Sequence, residues 1–274
     1  MRYLSFVRWS NNGRQPSTQD LRARTYPLGH EGSGAVRGVL VRRVTVQPEV
    51  AAINVGRRID AVLDEHAAPL VAAYYDRSGP FAGADFDALA PNPAADIVQA
   101  DLLAVSLLDI RLRPRALRSL LFEDHDDFVS GLRRVPVGVD LWAASVEDLD
   151  SAASLLRRLR ELDGVDWVTA HKFVARKRPR LVPVLDSVVV RALSLPRGEQ
   201  WRTLALALGD PGRRERIAAV APAELDPSVL RLLDVATWMR HSESTNARAA
   251  RHLLGLPNSA PRPRRPASGS RPLP

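Results

Sequence analysis

The segment from Ser145 to Gly164, "SVEDLDSAASLLRRLRELDG", constrains the fold most, because it carries the start, one face and the end of a helix. Ser145 and Asp148 have the spacing of a capping box, in which each side chain binds the backbone N–H of the other. Gly164 stands where a glycine commonly ends a helix. Apolar residues recur between these ends at the spacing of one helical face: Val146, Leu149, Ala153, Leu156 and Leu159.

The same helical period recurs along residues 44–256, and no strand–helix alternation accompanies it. Pro69 is expected to kink or split the first run, and "SGPFAGADFDALAPNPA" is expected to form a loop. The sequence therefore predicts an all-α, multi-helix domain, with one short β-hairpin near residues 38–46. The helical runs are "QPEVAAINVGRRIDAVLDEHAAPLVAAYYDR", "ADIVQADLLAVSLLDIRL" (expected to be buried on most sides), "PRALRSLLF", "GEQWRTLALAL", "GRRERIAAVA" and "PSVLRLLDVATWMRH".

Both ends of the chain are basic, and neither shows a sustained hydrophobic period. The formal net charge is +8, of which residues 1–43 carry +6 and residues 256–274 carry +4, which leaves −2 for residues 44–255. We therefore expect a largely disordered N-terminal segment (1–43), a helical domain (44–256) and a disordered Pro/Arg-rich tail (257–274). Any nucleic-acid surface on the helical domain must be a local patch.

Several classes of protein are excluded or disfavoured by composition. The chain has no Cys, which excludes disulfides, thiolate zinc sites, iron–sulfur clusters and thiol nucleophiles. No apolar run is long enough to span a membrane, and the first residues lack a signal peptide, so a cytoplasmic protein is expected. The acidic run "EDHDD" (123–127) is interpreted as a surface loop rather than a metal site, and no metal is predicted.

The stretch "LDGVDWVTAHKFVARKRPRLVPVLDSVVVRAL" (162–193) is the candidate functional region. The chain reverses at "DGVD" into a second helix, which makes a helical hairpin. An ordinary corner in a helical core would have the same pattern. If the hairpin instead binds DNA, its glycine turn lets backbone N–H groups at the start of the second helix approach a phosphate.

This stretch resembles the signature of the helix-hairpin-helix DNA glycosylase superfamily, roughly L-P-G-V-G-x-x-T-A followed by P-V-D-x-x-V-x-R. The resemblance covers about 30 of the 274 residues. The matching positions are Leu162, Gly164, Val165, Thr169, Ala170, Pro183, Asp186, Val189 and Arg191.

The resemblance implies a protein that binds double-stranded DNA and excises a base. A monovalent cation often completes the hairpin turn in such enzymes. Asp186 would be the catalytic residue, which stabilises the oxocarbenium sugar and helps to activate water after the base has left the stack. The predicted DNA contacts are Gly164, Val165, Trp167, Thr169, Lys172, Arg176, Lys177 and Arg178; Trp167, His171 and Tyr74 or Tyr75 are candidates for stacking on the base.

Two departures from the family pattern leave an alternative open. Asp166 replaces the second turn glycine, and Val168 stands where one subclass carries a lysine nucleophile. The alternative is a catalytically inactive glycosylase-like module that binds DNA or another protein. In that case, Asp186 serves only as the N-cap of the next helix.

Overall fold

The structure is a computed structural model that describes residues 48–256, and every element in that range is helical. No strand occurs among these residues, so the all-α prediction is confirmed for them. The predicted β-hairpin at 38–46, the N-terminal segment and the C-terminal tail lie outside the described residues. The helices are α1 (Pro48–Val62), α2 (Ala67–Tyr75), α3 (Gly83–Ala88), α4 (Gln99–Ser106), α5 (Pro114–Arg118), α6 (His125–Arg134), α7 (Val146–Leu159), α8 (Trp167–Lys177), α9 (Ser187–Ala192), α10 (Gln200–Ala207), α11 (Pro211–Ala218), α12 (Val229–His241) and α13 (Thr245–Leu253).

Two hydrophobic cores divide these helices between them. The first core is built from α1, α2 and α9 to α13, and the second from α4 to α8. The first core thus combines the two ends of the described region, and the middle of the chain forms the second. Helix α3 contributes to both, with Ala84 in the first core and Phe86 in the second.

The chain passes from the second core back to the first just before α9. Leu181, Val182 and Val184 are buried in the second core, whereas Leu185 and Val189 are buried in the first. The crossing therefore falls between residues 184 and 185, immediately before the carboxylate at position 186.

Helix α7 has the predicted capping box. The N–H of Asp148 donates to Ser145 Oγ at 3.1 Å, and the N–H of Ser145 donates to Asp148 Oδ2 at 2.9 Å. The buried face is rotated from the predicted one, since Ala152 and Leu155 are buried but Val146 is 40% exposed. Helices α6 and α8 both contact α7, so the buried face of α7 is wide enough to pack against two helices.

Other boundaries depart from the predictions in three places. The first run is split near Pro69, as expected, between α1 and α2, but the predicted loop that follows contains α3. The run around α4 is less buried than expected, because Leu103 is 61% exposed. The acidic run 123–127 is a helix junction rather than a loop: a π-helical turn (Ser119–Glu123) ends there, and α6 begins at His125.

No helix within residues 48–256 is long and apolar enough to cross a membrane.

Candidate functional site

Helices α7 and α8 contact each other and are joined by residues 160–166, and this helix–turn–helix segment is here called the hairpin. Gly164 has φ +76°, a conformation that favours glycine. The Val165 N–H donates to the carbonyl of Leu162 at 3.1 Å, and the Val165 side chain is buried in the second core. The turn is therefore fixed both by its backbone and by its contact with the core.

The start of α8 is already occupied by a carboxylate of the same chain. Asp166 is the N-cap, and its Oδ1 accepts a hydrogen bond from the Thr169 N–H at 2.8 Å. An N-terminal N–H group of this kind is what a bound phosphate would use. The Thr169 N–H was predicted to bind phosphate. In the structure it donates instead to the exposed side chain of Asp166.

Three predicted DNA contacts, Arg176, Lys177 and Arg178, are wrong for their side chains, which are only 4%, 4% and 2% exposed. Arg176 Nε and Lys177 Nζ bind the two oxygens of buried Asp101, at 3.1 and 2.5 Å. Arg176 also donates to the carbonyls of Phe86 and Leu89. The guanidinium of Arg178 donates to four carbonyls: Val135, Ala94, Lys177 and Leu132.

This cationic end of α8 has a structural role. It satisfies carbonyls of the irregular stretch between α3 and α4, which has few backbone partners of its own. Burying charges is costly unless they are paired or hydrogen-bonded; Arg176 and Lys177 are paired with Asp101, and the guanidinium of Arg178 is hydrogen-bonded to carbonyls.

Lys172 is also turned inward rather than towards a phosphate. Its Nζ donates to the carbonyl of Leu108 at 2.7 Å. Burial lowers the pKa of Lys172, and the carboxylates of Asp234, Asp186 and Asp109 oppose that change. The predicted phosphate contact of Lys172 is therefore replaced by a partly buried site among three carboxylates.

Asp186 is the N-cap of α9. Its Oδ1 accepts hydrogen bonds from the N–H groups of Val188 at 2.8 Å and Val189 at 2.9 Å. The residue is half-buried. The predicted N-cap at Asp186 is present, and Oδ2 has no hydrogen-bond partner among residues 48–256.

A buried network on α12 lies within electrostatic range of Asp186. Arg231 binds Asp234 through Nη1, Asp87 through Nε at 3.0 Å and the hydroxyl of Tyr74 through Nη2 at 3.0 Å. Burial raises the pKa of Asp234 to about 7; Arg231 opposes the change, and the charge of Asp186 adds to it. This network brings α2, α3 and α12 together.

Residues 67–241 match the model of a family of unknown function, DUF6308. The chain belongs to that family. The DUF6308 region runs from α2 into α12, so it contains the hairpin, Asp186 and the Arg231 network. No curated protein and no solved structure matches the chain.

Most of the predicted stacking residues, which lie in the DUF6308 region, are buried and pack against other residues of the chain. Tyr74 and Tyr75 are 7% and 6% exposed, so neither ring lines an open pocket. His171 lies between Trp167 and Trp201, with ring centroids 4.2 and 5.7 Å away, and burial lowers its pKa to about 4. Trp167 alone is half-buried, with part of its ring at the surface.

Two cavities lie beside these elements. One, of about 140 Å³, is lined by Asp87, Arg231 and residues of α8 and of the stretch between α8 and α9. The other, of about 670 Å³, is an open apolar groove along α4 and α5. Asp186 lines neither of them.

Sequence reasoning missed Arg231 and Asp234. Both lie inside "VLRLLDVATWM", where every other position but one is apolar. A cation and an anion three residues apart in such a helix point to a buried pair, and that was the available signal.

Proposed function

We propose that the protein binds double-stranded DNA and hydrolyses the N-glycosidic bond of a base that has left the helix, with Asp186 as the catalytic carboxylate. The observation that carries this proposal is the position of Asp186 at the crossing between the two cores. Its Oδ1 accepts hydrogen bonds from the N–H groups of Val188 and Val189, which fix the carboxylate at the start of α9. A fixed, half-buried carboxylate suits a reaction in which positive charge develops.

The chemistry requires little more than this carboxylate and water. The bond between C1′ of the sugar and the base nitrogen breaks, and the base leaves with the electron pair. A bond forms between C1′ and the oxygen of water, the departing base takes a proton from solvent, and Asp186 later returns to solvent the proton that it accepts. The Oδ2 of Asp186 would stabilise the cationic sugar and accept a proton from the attacking water.

Lys172 and Asp234 would act through Asp186 rather than on the substrate. The Nζ of Lys172 is held by the carbonyl of Leu108 at 2.7 Å and would supply positive charge to this part of the site. Asp234 is buried and bonded to Arg231, so it would serve as a positioning residue for the Arg231 network, which joins α12 to α2 and α3.

DNA binding would use the hairpin as the anchor. The reversal at Gly164 brings backbone close to the surface, and the half-buried Trp167 follows it at the start of α8. Contacts of this kind position a duplex without reading its sequence.

A second candidate is an inactive DNA-binding module with the same fold. The capping bond from Asp166 to Thr169 favours it, because a carboxylate already satisfies the N–H group that a phosphate would use. In this candidate, Asp186 only caps α9.

The two candidates differ in one assay. Duplexes that carry uracil, hypoxanthine or an alkylated purine are incubated with the full chain, treated with alkali and resolved by size. The enzyme proposal predicts strand breaks at one of these bases. Duplex binding without any break would support the inactive module, and the absence of duplex binding would contradict both.

A further inference from the structure

An exposed arginine segment, residues 111–118, lies next to the hairpin. Its sequence, "RLRPRALR", carries four arginines and no acidic residue. All four are exposed. Arg118 pairs with Glu123 at 2.8 Å and Arg113 pairs with Asp163 at 3.0 Å, whereas the side chains of Arg111 and Arg115 form no ion pair or hydrogen bond with any of residues 48–256.

Arg113 fixes the segment against the hairpin turn. A Cβ placed on Gly164 would lie 2.6 Å from Arg113 Cδ, so the arginine side chain crosses directly over this glycine. Its Nη1 also lies 3.0 Å from Asp163 Oδ1 and 3.3 Å from Oδ2. The glycine turn thus leaves room for an arginine, and the pair neutralises one acidic charge of the turn.

The local geometry places several guanidinium groups on one surface. Arg113 has an extended backbone at the N-cap of α5, and the exposed Arg111 precedes it by two residues. Within α5, Arg115 and Arg118 are three residues apart and therefore lie on the same helical face. The result is a local basic patch in a helical domain whose net charge is slightly negative.

We infer that this arginine segment, and not the buried cluster at residues 176–178, is the part of the protein that contacts the phosphates of duplex DNA. The inference rests on the proposed function and names its phosphate-binding surface. Guanidinium groups match phosphate oxygens in a two-pronged geometry, and those of Arg111 and Arg115 need give up no protein partner. The backbone of the hairpin, next to Arg113, would lie along the same duplex.

The apolar groove beside the arginine segment suits a different class of partner. Leu103, Ile110 and Leu112 line it, and an acidic amphipathic helix of another protein would match such a groove with a basic rim. The contact of Arg113 with the hairpin turn favours DNA, because it joins the basic patch to a second element suited to phosphate.

The test compares two double variants of the full chain, Arg111→Ala/Arg115→Ala and the control Arg197→Ala/Arg248→Ala. The control arginines are also exposed, their side chains have no ion-pair partner among residues 48–256, and they lie outside the segment. Binding to a duplex of about 20 base pairs is measured by fluorescence anisotropy between 50 and 200 mM NaCl. Contributions from the basic chain ends are equal in every protein and cancel in the comparison.

We expect the slope of log K against log salt to become shallower by about 1.8 in the Arg111/Arg115 variant, since each lost phosphate contact removes about 0.9. The control slope should stay within about 0.5 of the wild type. An unchanged slope in the Arg111/Arg115 variant, with a wild-type protein that binds, would overturn this inference and leave the proposed function standing. A wild-type protein that does not bind duplex DNA would overturn both. Salt-dependent binding of polyglutamate, lost in the same variant, would assign the surface to acidic proteins instead.

Discussion

The carboxylate of Asp166 accepts a hydrogen bond from the backbone N–H of Thr169 at 2.8 Å, at the start of the second helix of the hairpin. A phosphate at this helix start would lie beside a fixed negative charge. The carboxylate of Asp166 therefore occupies a hydrogen-bond position that an anion at this helix start would otherwise use.

Replacing Asp166 with glycine should strengthen duplex binding. The substitution removes the negative charge and frees the Thr169 N–H, and a favourable charge at a helix start contributes about 0.3–1 kcal/mol, which corresponds to about 2–5-fold in affinity. Glycine is itself an acceptable N-cap, so the loss of stability should be only a few tenths of a kcal/mol. Fluorescence anisotropy with an undamaged duplex measures the change.

Asp148→Gly is the matched control for Asp166→Gly, because it removes one negative charge from the start of α7 instead. Its duplex affinity should change less than that of Asp166→Gly. Equal gains in the two variants would mean that only the net charge matters and that the start of α8 does not meet DNA.

Asp101→Ala should destabilise the fold strongly. Asp101 is 1% exposed and is the shared partner of Arg176 and Lys177, so its removal leaves two buried cations without an anion. Breaking a buried ion pair in this way costs about 3–5 kcal/mol. The free energy of unfolding, from urea denaturation, should fall by that amount. Asp150→Ala, at an exposed position of α7, should change it by less than about 0.5 kcal/mol; similar losses in the two variants would contradict the role given to Asp101.

His171 should make the fold sensitive to acid. Its pKa is about 4 in the folded protein against 6.5 for an unperturbed histidine, so between these pH values the unfolded chain binds the extra proton. Its contribution to stability is complete above about pH 6.5 and is lost as the pH falls towards 4, by about 3 kcal/mol in total.

A His171→Phe variant keeps an aromatic ring between Trp167 and Trp201 but cannot titrate. Urea unfolding at several pH values should show a smaller loss of stability between pH 6.5 and 4.5 for this variant than for the wild type. Because other groups titrate equally in both proteins, the difference isolates His171. Parallel pH profiles would show that the ring is accessible to water in the folded state.

Local signals in the sequence predicted the local parts of this structure. The capping box of Ser145 and Asp148, the reversal at Gly164 and the N-cap at Asp186 each depend on residues a few positions apart, and each is present. The short helix α3 was missed, because six residues, "GADFDA", are too few to display a helical period.

The burial of the basic run 176–178 at the end of α8 could not be predicted, because the partners of Arg176 are 75 to 90 residues away in the chain. A run of cations usually marks a solvated surface, and only the tertiary fold shows that Asp101 and several free carbonyls meet it here. The folding of α1 and α2 onto α9 to α13 is likewise a long-range property. It places Asp186 at the crossing between two cores, which no local pattern indicates.

The central claim is that Asp186 is a catalytic carboxylate, and its most direct measurement is the yield of abasic sites from a modified duplex with the wild type and with Asp186→Asn. Asparagine can still cap α9 through its side-chain oxygen, so stability should be nearly unchanged while the charge is removed. We predict base release by the wild type and a loss of about 100-fold or more in the variant. Equal base release by the two proteins, or none by the wild type on any modified duplex that it binds, would contradict the account.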